Sequence, residues 1–268
     1  MSVFRFKRFE VVNERSAMKV NTDGVLLGAA MTIRPEDRTF LDVGTGTGII
    51  ALMVAQRAME DGFFSRAQND IRRNARYDEG NSRNNAQRDN LHIDAIDIDG
   101  ISAEEAAANF RNSPWGPALH AHHMSLDEFG EAEPDRMYDL IFSNPPYFDC
   151  SLQAPQERRN AARHTSTGLS YRELLEFSAL RLTLHGRFAI VLPADQEAAL
   201  TRYARMCSLH LQRILRIRTV PRKAPSRIIA EFSRERRLQP LDDTLTIQNE
   251  GKYTEEYLSL THEFYLFA

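Results

Sequence analysis

From Phe40 onward, short continuous apolar runs alternate along this chain with longer stretches of helical spacing. Apolar runs bounded by turn residues read as strands buried on both faces. Their alternation with helices implies a parallel sheet covered on each side. The strands expected are 39–44, 92–97, 118–123, 138–143 and 186–192, and the helices 47–59, 102–111, 170–182 and 195–208. Ser170-Tyr171-Arg172-Glu173 ahead of an apolar run is a capping box that marks a helix start. Two more strands, near 211–219 and 227–234, are joined through Pro221-Arg222-Lys223-Ala224-Pro225 and pair as an antiparallel hairpin. A short helix at 254–260 and the apolar tail Phe264-Tyr265-Leu266-Phe267 follow. The fold class expected is α/β, a doubly wound and mostly parallel sheet, in a single domain spanning 1–268.

Residues 61–90 break the pattern. Asp61-Gly62-Phe63-Phe64 gives way to a stretch rich in Asn and Arg without helical or strand periodicity, which reads as a mobile insertion between the first helix and the second strand. The whole chain has 268 residues, 42% of them apolar and 26% charged, which is ordinary for a globular protein. No apolar run approaches the roughly 20 residues a membrane span needs, and the N-terminus lacks a signal-peptide core. Two cysteines, Cys150 and Cys207, provide neither a disulfide framework nor a zinc site. The expected location is the cytoplasm, with no membrane partner.

Candidate chemistry begins at Thr39-Phe40-Leu41-Asp42-Val43-Gly44-Thr45-Gly46-Thr47-Gly48-Ile49-Ile50, a strand, a glycine-rich turn and an apolar helix start. Gly44, Gly46 and Gly48 let the backbone turn tightly and approach a ligand closely. A dinucleotide fingerprint would need a glycine at position 49, where this chain has Ile49. The spacing, preceded by Asp42, instead resembles motif I of class I S-adenosylmethionine (SAM) methyltransferases. About 100 residues on, the strand 138–143 stops at Asn144-Pro145-Pro146-Tyr147-Phe148. Two prolines lack N–H groups and fix their own φ, so the strand ends there with rigidly placed carbonyls. The Asn144 side-chain carbonyl and the Pro145 backbone carbonyl can together accept both hydrogens of one NH2 group, and Tyr147 offers a ring for a planar group to stack on. Between these motifs, His92-Ile93-Asp94-Ala95-Ile96-Asp97-Ile98-Asp99 ends a strand in acids, where a carboxylate can accept the hydroxyls of a ribose.

Further segments carry a more specific resemblance. Lys7-Arg8-Phe9, then Met18-Lys19-Val20-Asn21-Thr22-Asp23-Gly24, then Arg159-Asn160-Ala161-Ala162-Arg163-His164 and Tyr253-Thr254-Glu255-Glu256-Tyr257 look like signatures of the bacterial tRNA1(Val) adenine-37 N6-methyltransferase family. The resemblance spans nearly the whole chain apart from 61–90. It implies a Rossmann-like class I methyltransferase fold with the antiparallel hairpin at the sheet edge. It also implies an N-terminal extension (1–38) serving cofactor and substrate, and SAM as cofactor without a metal. In that reading Lys19, Thr22 and Asp23 lie near the methionine end of SAM, with Asp42 and the glycine loop. Asp97 holds the ribose. Ser125 stands where relatives often place an Asp for the adenine of SAM, with Asp127 two residues on. Asn144, Pro145 and Tyr147 would be catalytic, and Phe148, Arg159 and Arg163 would bind RNA. The implied partner is tRNA, with no obligate protein partner. Glutamine methylation of release factors and adenine methylation of DNA use a similar Asn-Pro-Pro-Tyr signature and remain alternatives. A SAM-binding RNA scaffold without turnover would have little need for the amine clamp.

The net charge of −3 argues against a generic nucleic-acid coat protein but does not exclude a local basic face. Three patches qualify: Arg5, Lys7 and Arg8 interleaved with Phe4, Phe6 and Phe9; Arg158, Arg159 and Arg163; and Arg213, Arg216, Arg218, Arg222, Lys223 and Arg227. Taken singly, each reads first as a solvated, salt-bridged surface. His120 and His122 share a strand face, but no third ligand stands at a usual metal spacing, so a structural role is favoured.

Overall fold

The structure, a computed structural model, describes residues 2–16, 19–59, 91–146 and 169–268. The insertion at 61–90, Met18, Tyr147, Phe148, Arg158, Arg159 and Arg163 lie outside the described residues.

Eight strands form one sheet. They are β3 (Thr39–Val43), β4 (His92–Asp97), β5 (Leu119–His123), β6 (Tyr138–Ser143), β7 (Leu182–Pro193), β8 (His210–Arg218), β9 (Arg227–Ser233) and β10 (Leu241–Thr246). Their order is β10-β8-β9-β7-β6-β3-β4-β5. The pairs β5–β4, β4–β3, β3–β6 and β6–β7 are parallel, while β9 runs antiparallel to both β7 and β8. The expected hairpin is therefore present. However, β10 pairs parallel with β8 and extends the sheet one strand beyond it. That edge strand carries Asp242 and Asp243 exposed and only Leu245 buried, so it gives no apolar run to read. Strand β7 begins four residues before its expected start, at a register shift opposite Tyr138 and Leu140. A Cβ on Gly186 at this irregularity would lie 2.7 Å from the Tyr138 carbonyl oxygen.

The helices are α1 (Thr22–Ala30), α2 (Ile49–Met59), α3 (Gly100–Arg111), α4 (Leu126–Ala132), α5 (Tyr171–Arg181), α6 (Glu197–Met206) and α7 (Glu255–Thr261). Two buried clusters cover the sheet. One gathers α1, α2 and the N- and C-terminal aromatics, among them Phe6, Phe9 and Tyr265. The other gathers Phe129, Leu174, Leu175 and Leu200 from α4, α5 and α6. The first basic patch falls on strand β1 (Val3–Arg5) and on the turn at residues 6–9 that joins it to strand β2 (Glu10–Val12). Phe6 and Phe9 stack at 4.7 Å in the core, Arg5 pairs with Glu10, and the Lys7 ammonium donates to the carbonyls of His262 and Ala268.

One buried ion pair ties the approach to β3 to strand β7. Arg187, 2% exposed, donates to Asp37 Oδ2 at 2.5 Å and to the Thr32 carbonyl at 3.1 Å, and Asp37 also accepts from the Arg34 N–H. Burial pushes the Asp37 carboxyl up, against the pull of Arg187. Removing one partner strands a charge, whereas replacing both removes the desolvation cost. Asp37→Ala is expected to lose about 3–5 kcal/mol in urea denaturation, and Asp37→Leu with Arg187→Met to recover more than half of that. A single-variant loss below about 1 kcal/mol would show that the pair does not anchor β7.

Candidate active site

The chain runs β3, β4, β5 toward one edge of the sheet and then returns to place β6 on the other side of β3. Ligands of open α/β sheets bind beyond the carboxyl ends of the strands at such a reversal. The register shows what meets there. Val43 pairs with Ile96 of β4 and with Ser143 of β6, so the next residues, Gly44, Asp97 and Asn144, stand abreast at the ends of three adjacent strands. The buried Ser143 hydroxyl donates to the Val43 carbonyl at 2.7 Å and fixes the two central strand ends together.

The glycine loop is clamped from below and from the side. The Gly44 and Thr45 N–H groups both donate to the Ile96 carbonyl, at 2.9 and 3.0 Å, and the Gly46 N–H donates to Asp97 Oδ2 at 2.8 Å. Gly44, Gly46 and Gly48 have φ of +73°, +57° and +80°, the left-handed region in which a side chain is strained. At Gly48 a Cβ would also lie 2.5 Å from the Phe110 ring, which is how α3 packs against the loop. Asn109 of α3 donates to the Thr47 carbonyl at 2.9 Å. Asp97 also accepts from the Asp99 N–H at 2.9 Å, and burial pushes its carboxyl up.

Asp42 lies under the loop with no exposed surface. Its Oδ2 accepts from the Thr45 hydroxyl at 2.8 Å, while its buried Oδ1 has no hydrogen-bond partner among the described residues. Burial pushes its carboxyl up to about 7; the Thr45 bond and, more weakly, the Ala51 N–H offset part of that cost. A buried acceptor left unpaired below a glycine turn is suited to a ligand that brings positive charge.

The N-terminal segment closes the cleft. Glu105 of α3, 4% exposed, accepts the N–H groups of Glu14, Arg15 and Ser16 at 2.9 Å each, which steers the chain toward the glycine loop. The cleft is lined by Lys19, Asn21 and Gly24 on this side, by Gly44 and Gly46 on the loop side, and by Asn144. Lys19 Nζ donates to the carbonyls of Asn13 and Glu14. Thr22 opens α1, and Asp23 pairs with Arg227 of β9 at 2.9 Å. Asn21, which the sequence reading did not single out, caps α1 by accepting from the Gly24 N–H at 2.9 Å. The Asn144 amide nitrogen makes a long contact, 3.5 Å, to the same Asn21 oxygen. This turns the amino end of Asn144 toward α1 and makes the carbonyl its other end. The Asn at the N-cap position before Thr22-Asp23-Gly24 was the available signal.

Ser125 follows β5 but is the N-cap of α4, in a capping box with Glu128, and Asp127 is exposed in the first turn of that helix. Neither Ser125 nor Asp97 is among the residues lining the cleft. His92 and His122 both contact Asp94 Oδ1, at 3.0 and 2.9 Å, and the Tyr138 hydroxyl donates to Oδ2 at 3.0 Å. Burial works to raise the Asp94 carboxyl, but the bonds from His122 and His92 outweigh it and hold it at about 2. His120 stacks on His92 at 4.3 Å. Among the described residues no group of three or more His, Cys, Asp or Glu is arranged to hold a metal ion.

The Asp42 carboxyl is raised in the folded state, so its contribution to stability is fully present below its unfolded value near 4 and is lost as pH rises to about 7. Asp42→Asn removes this titration. In denaturation series at several pH values, the stability of the variant relative to the parent should rise between about pH 4 and 7, by at most roughly 1.4 kcal/mol per unit, and level off above. A pH-independent difference would contradict the buried-acid assignment.

No family model matches the chain. It is 36% identical over 265 residues to the tRNA1(Val) (adenine(37)-N6)-methyltransferase of Flavobacterium johnsoniae, covering 98% of this chain and 99% of that protein. The protein of the same name from Parabacteroides distasonis is 38% identical over 264 residues, covering 98% and 97%. Among solved structures, a predicted O-methyltransferase from Agrobacterium tumefaciens superposes with a TM-score of 0.60 at 13% identity, covering 90% of this chain and 96% of that one. The T. thermophilus 16S rRNA N2 G1207 methyltransferase, in complex with AdoMet and guanosine, gives 0.50 at 17% identity, covering 87% and 50%. The sheet order, the glycine loop and these neighbours make the fold that of a class I SAM methyltransferase. With relatives this similar over nearly their full length, the chain belongs to the tRNA1(Val) (adenine(37)-N6)-methyltransferase family.

Proposed function

We propose that this protein transfers a methyl group from SAM to the N6 amino group of adenine 37 in tRNA1(Val). The observation that carries the reading is the strand register that sets Asn144 beside Gly44 and Asp97, in a chain whose relatives are named for this reaction. A tRNA substrate assigns the reaction to the cytoplasm.

SAM, when bound, supplies a methyl group on a positively charged sulfonium. The clamped glycine loop and the buried Asp42 would hold its cationic methionine part, and Asp97 its ribose. Lys19 borders the same cleft from the N-terminal side, Thr22 at the start of α1 is assigned to the methionine end of the cofactor, and Ser125 is the candidate for its base. Asn144 and the Pro145 carbonyl accept the two N–H bonds of the target amine. Holding both bonds draws the nitrogen lone pair out of conjugation with the ring and fixes its direction. The held nitrogen would take the methyl carbon from SAM, whose S–C bond breaks as the N–C bond forms, and the amine proton would leave to water from the nitrogen that has gained positive charge. No histidine or cysteine base is required. Tyr147 and Phe148 are assigned to stacking the adenine once it is turned out of its loop, and Arg159 and Arg163 to RNA phosphates.

A transfer assay with labelled SAM, offering tRNA lacking the modification beside release factor and duplex DNA, tests the substrate. Nuclease digestion and mass spectrometry should find N6-methyladenosine at position 37 of tRNA1(Val). Label in the release factor would instead make the target a glutamine amide, which presents the same two N–H bonds. Asn144→Ala should keep SAM affinity within a few-fold in calorimetry while kcat falls by about 10²–10³, the usual scale for losing one preorganised polar contact. Near-normal turnover in that variant would sink the amine clamp.

A further inference from the structure

The third basic patch resolves into two kinds of cation. Arg213 pairs with Glu231 at 3.1 Å, Arg216 with Glu197 and Asp242, and Arg227 with Asp23, so these three hold the sheet and α1 together. Arg222 and Lys223 differ. They sit exposed at the turn between β8 and β9 and have no ion-pair partner among the described residues. The strand directions put this turn at the carboxyl edge of the sheet. β9 is antiparallel to β7 and begins at Arg227 opposite Pro193, the last residue of β7, on the edge where β6 leads into Asn144. The turn is also well held: Arg218 donates to the Pro221 carbonyl at 3.1 Å, Ser226 N–H to Ile217, and Ala194 N–H to Ser226.

Ala194 continues the surface. It opens a groove of about 470 Å³ that runs along α6, lined by Asp195, Thr201, Arg202 and Arg205. Arg202 and Arg205 are three apart on the helix and share a face, are exposed, and have no ion-pair partner among the described residues. Glu197, which also borders the groove, is taken up by Arg216. Arg202 and Arg205 therefore share the groove with one unpaired acid, Asp195, and the Ala194–Ser226 hydrogen bond ties its mouth to the turn that carries Arg222 and Lys223 at the catalytic edge, in a protein whose net charge is −3.

We propose that this track, Arg222 and Lys223 at the turn and Arg202 and Arg205 in the α6 groove, holds the phosphate backbone of the tRNA while its target base enters the Asn144 site. The inference rests on the tRNA reading above and names the surface that reading leaves unassigned. Phosphate contacts position a nucleic acid without reading its sequence, which suits arginines and a lysine on a groove rather than a fitted pocket.

Two pairwise charge reversals test it, Arg202→Glu with Arg205→Glu and Arg222→Glu with Lys223→Glu, assayed for tRNA methylation beside the parent protein. Each pair should raise KM for tRNA about tenfold at roughly 150 mM salt, leave kcat within about twofold, and lower the slope of log affinity against log salt by about 1.5, near 0.7–0.9 per lost contact. Arg202→Lys with Arg205→Lys should keep near-parental KM, and unchanged melting temperatures check that the reversals fold. A parent that methylates tRNA while both reversals keep its KM and salt slope would overturn the track and leave the tRNA reading standing. A fall in kcat at unchanged KM would also overturn it. A parent that neither binds nor methylates tRNA would overturn both together.

Discussion

The geometry of this protein depends on the in-register ending of three parallel strands. Because Val43 pairs with Ile96 on one side and Ser143 on the other, the residues that follow each strand must emerge side by side. The hydrogen bonds between the glycine loop and the neighbouring strand ends reinforce that arrangement. Ile96 accepts two N–H groups from the loop, Asp97 accepts a third, and Ser143 ties β6 to the carbonyl of Val43. A slip of one residue in either pairing would turn alternate side chains to the opposite face of the sheet and separate Asn144 from the loop. The aliphatic and aromatic residues of β3, β4 and β6, almost all buried, make such a slip costly.

Around that frame, the site is completed by segments distant in sequence. Glu105 gathers three backbone N–H groups from residues 14–16, and Asn109 bonds both Val12 and Thr47, so α3 fixes the N-terminal segment and the glycine loop to one another. Asn21 then serves α1 and Asn144 at once. The ion pair of Arg227 with Asp23 couples the β8–β9 hairpin to the start of the same helix. The cleft is thus bordered by a rigid sheet edge and by an N-terminal strap held through buried polar contacts.

Much of this was legible in the sequence, for identifiable reasons. Strands β4 and β6 were located to the residue because β6 reads as an apolar run that stops at Asn144-Pro145-Pro146, while β4 alternates apolar and polar residues and ends in the acids before Gly100. Helix α1 was not read, because seven of its nine residues are buried and it carries two glycines, so no polar face marks its period. Helix α4 is only seven residues long, and β10 exposes most of its side chains. The partners of the basic residues could not be read at all. Nothing local distinguishes Arg227, which bonds a residue 204 positions away, from Arg222 beside it in the same patch. The capping of α4 by Ser125 was likewise written locally, in Ser125-Leu126-Asp127-Glu128, but the resemblance drew attention to a different role for that side chain.

The central claim is that Asn144 and Pro145 accept both hydrogens of the amine to be methylated. The most direct test is a crystal structure of the protein with a non-reactive SAM analogue and an RNA hairpin carrying the target adenine. The account predicts the adenine N6 at about 3 Å from both the Asn144 side-chain oxygen and the Pro145 carbonyl. An adenine whose amino group faces neither oxygen would contradict it.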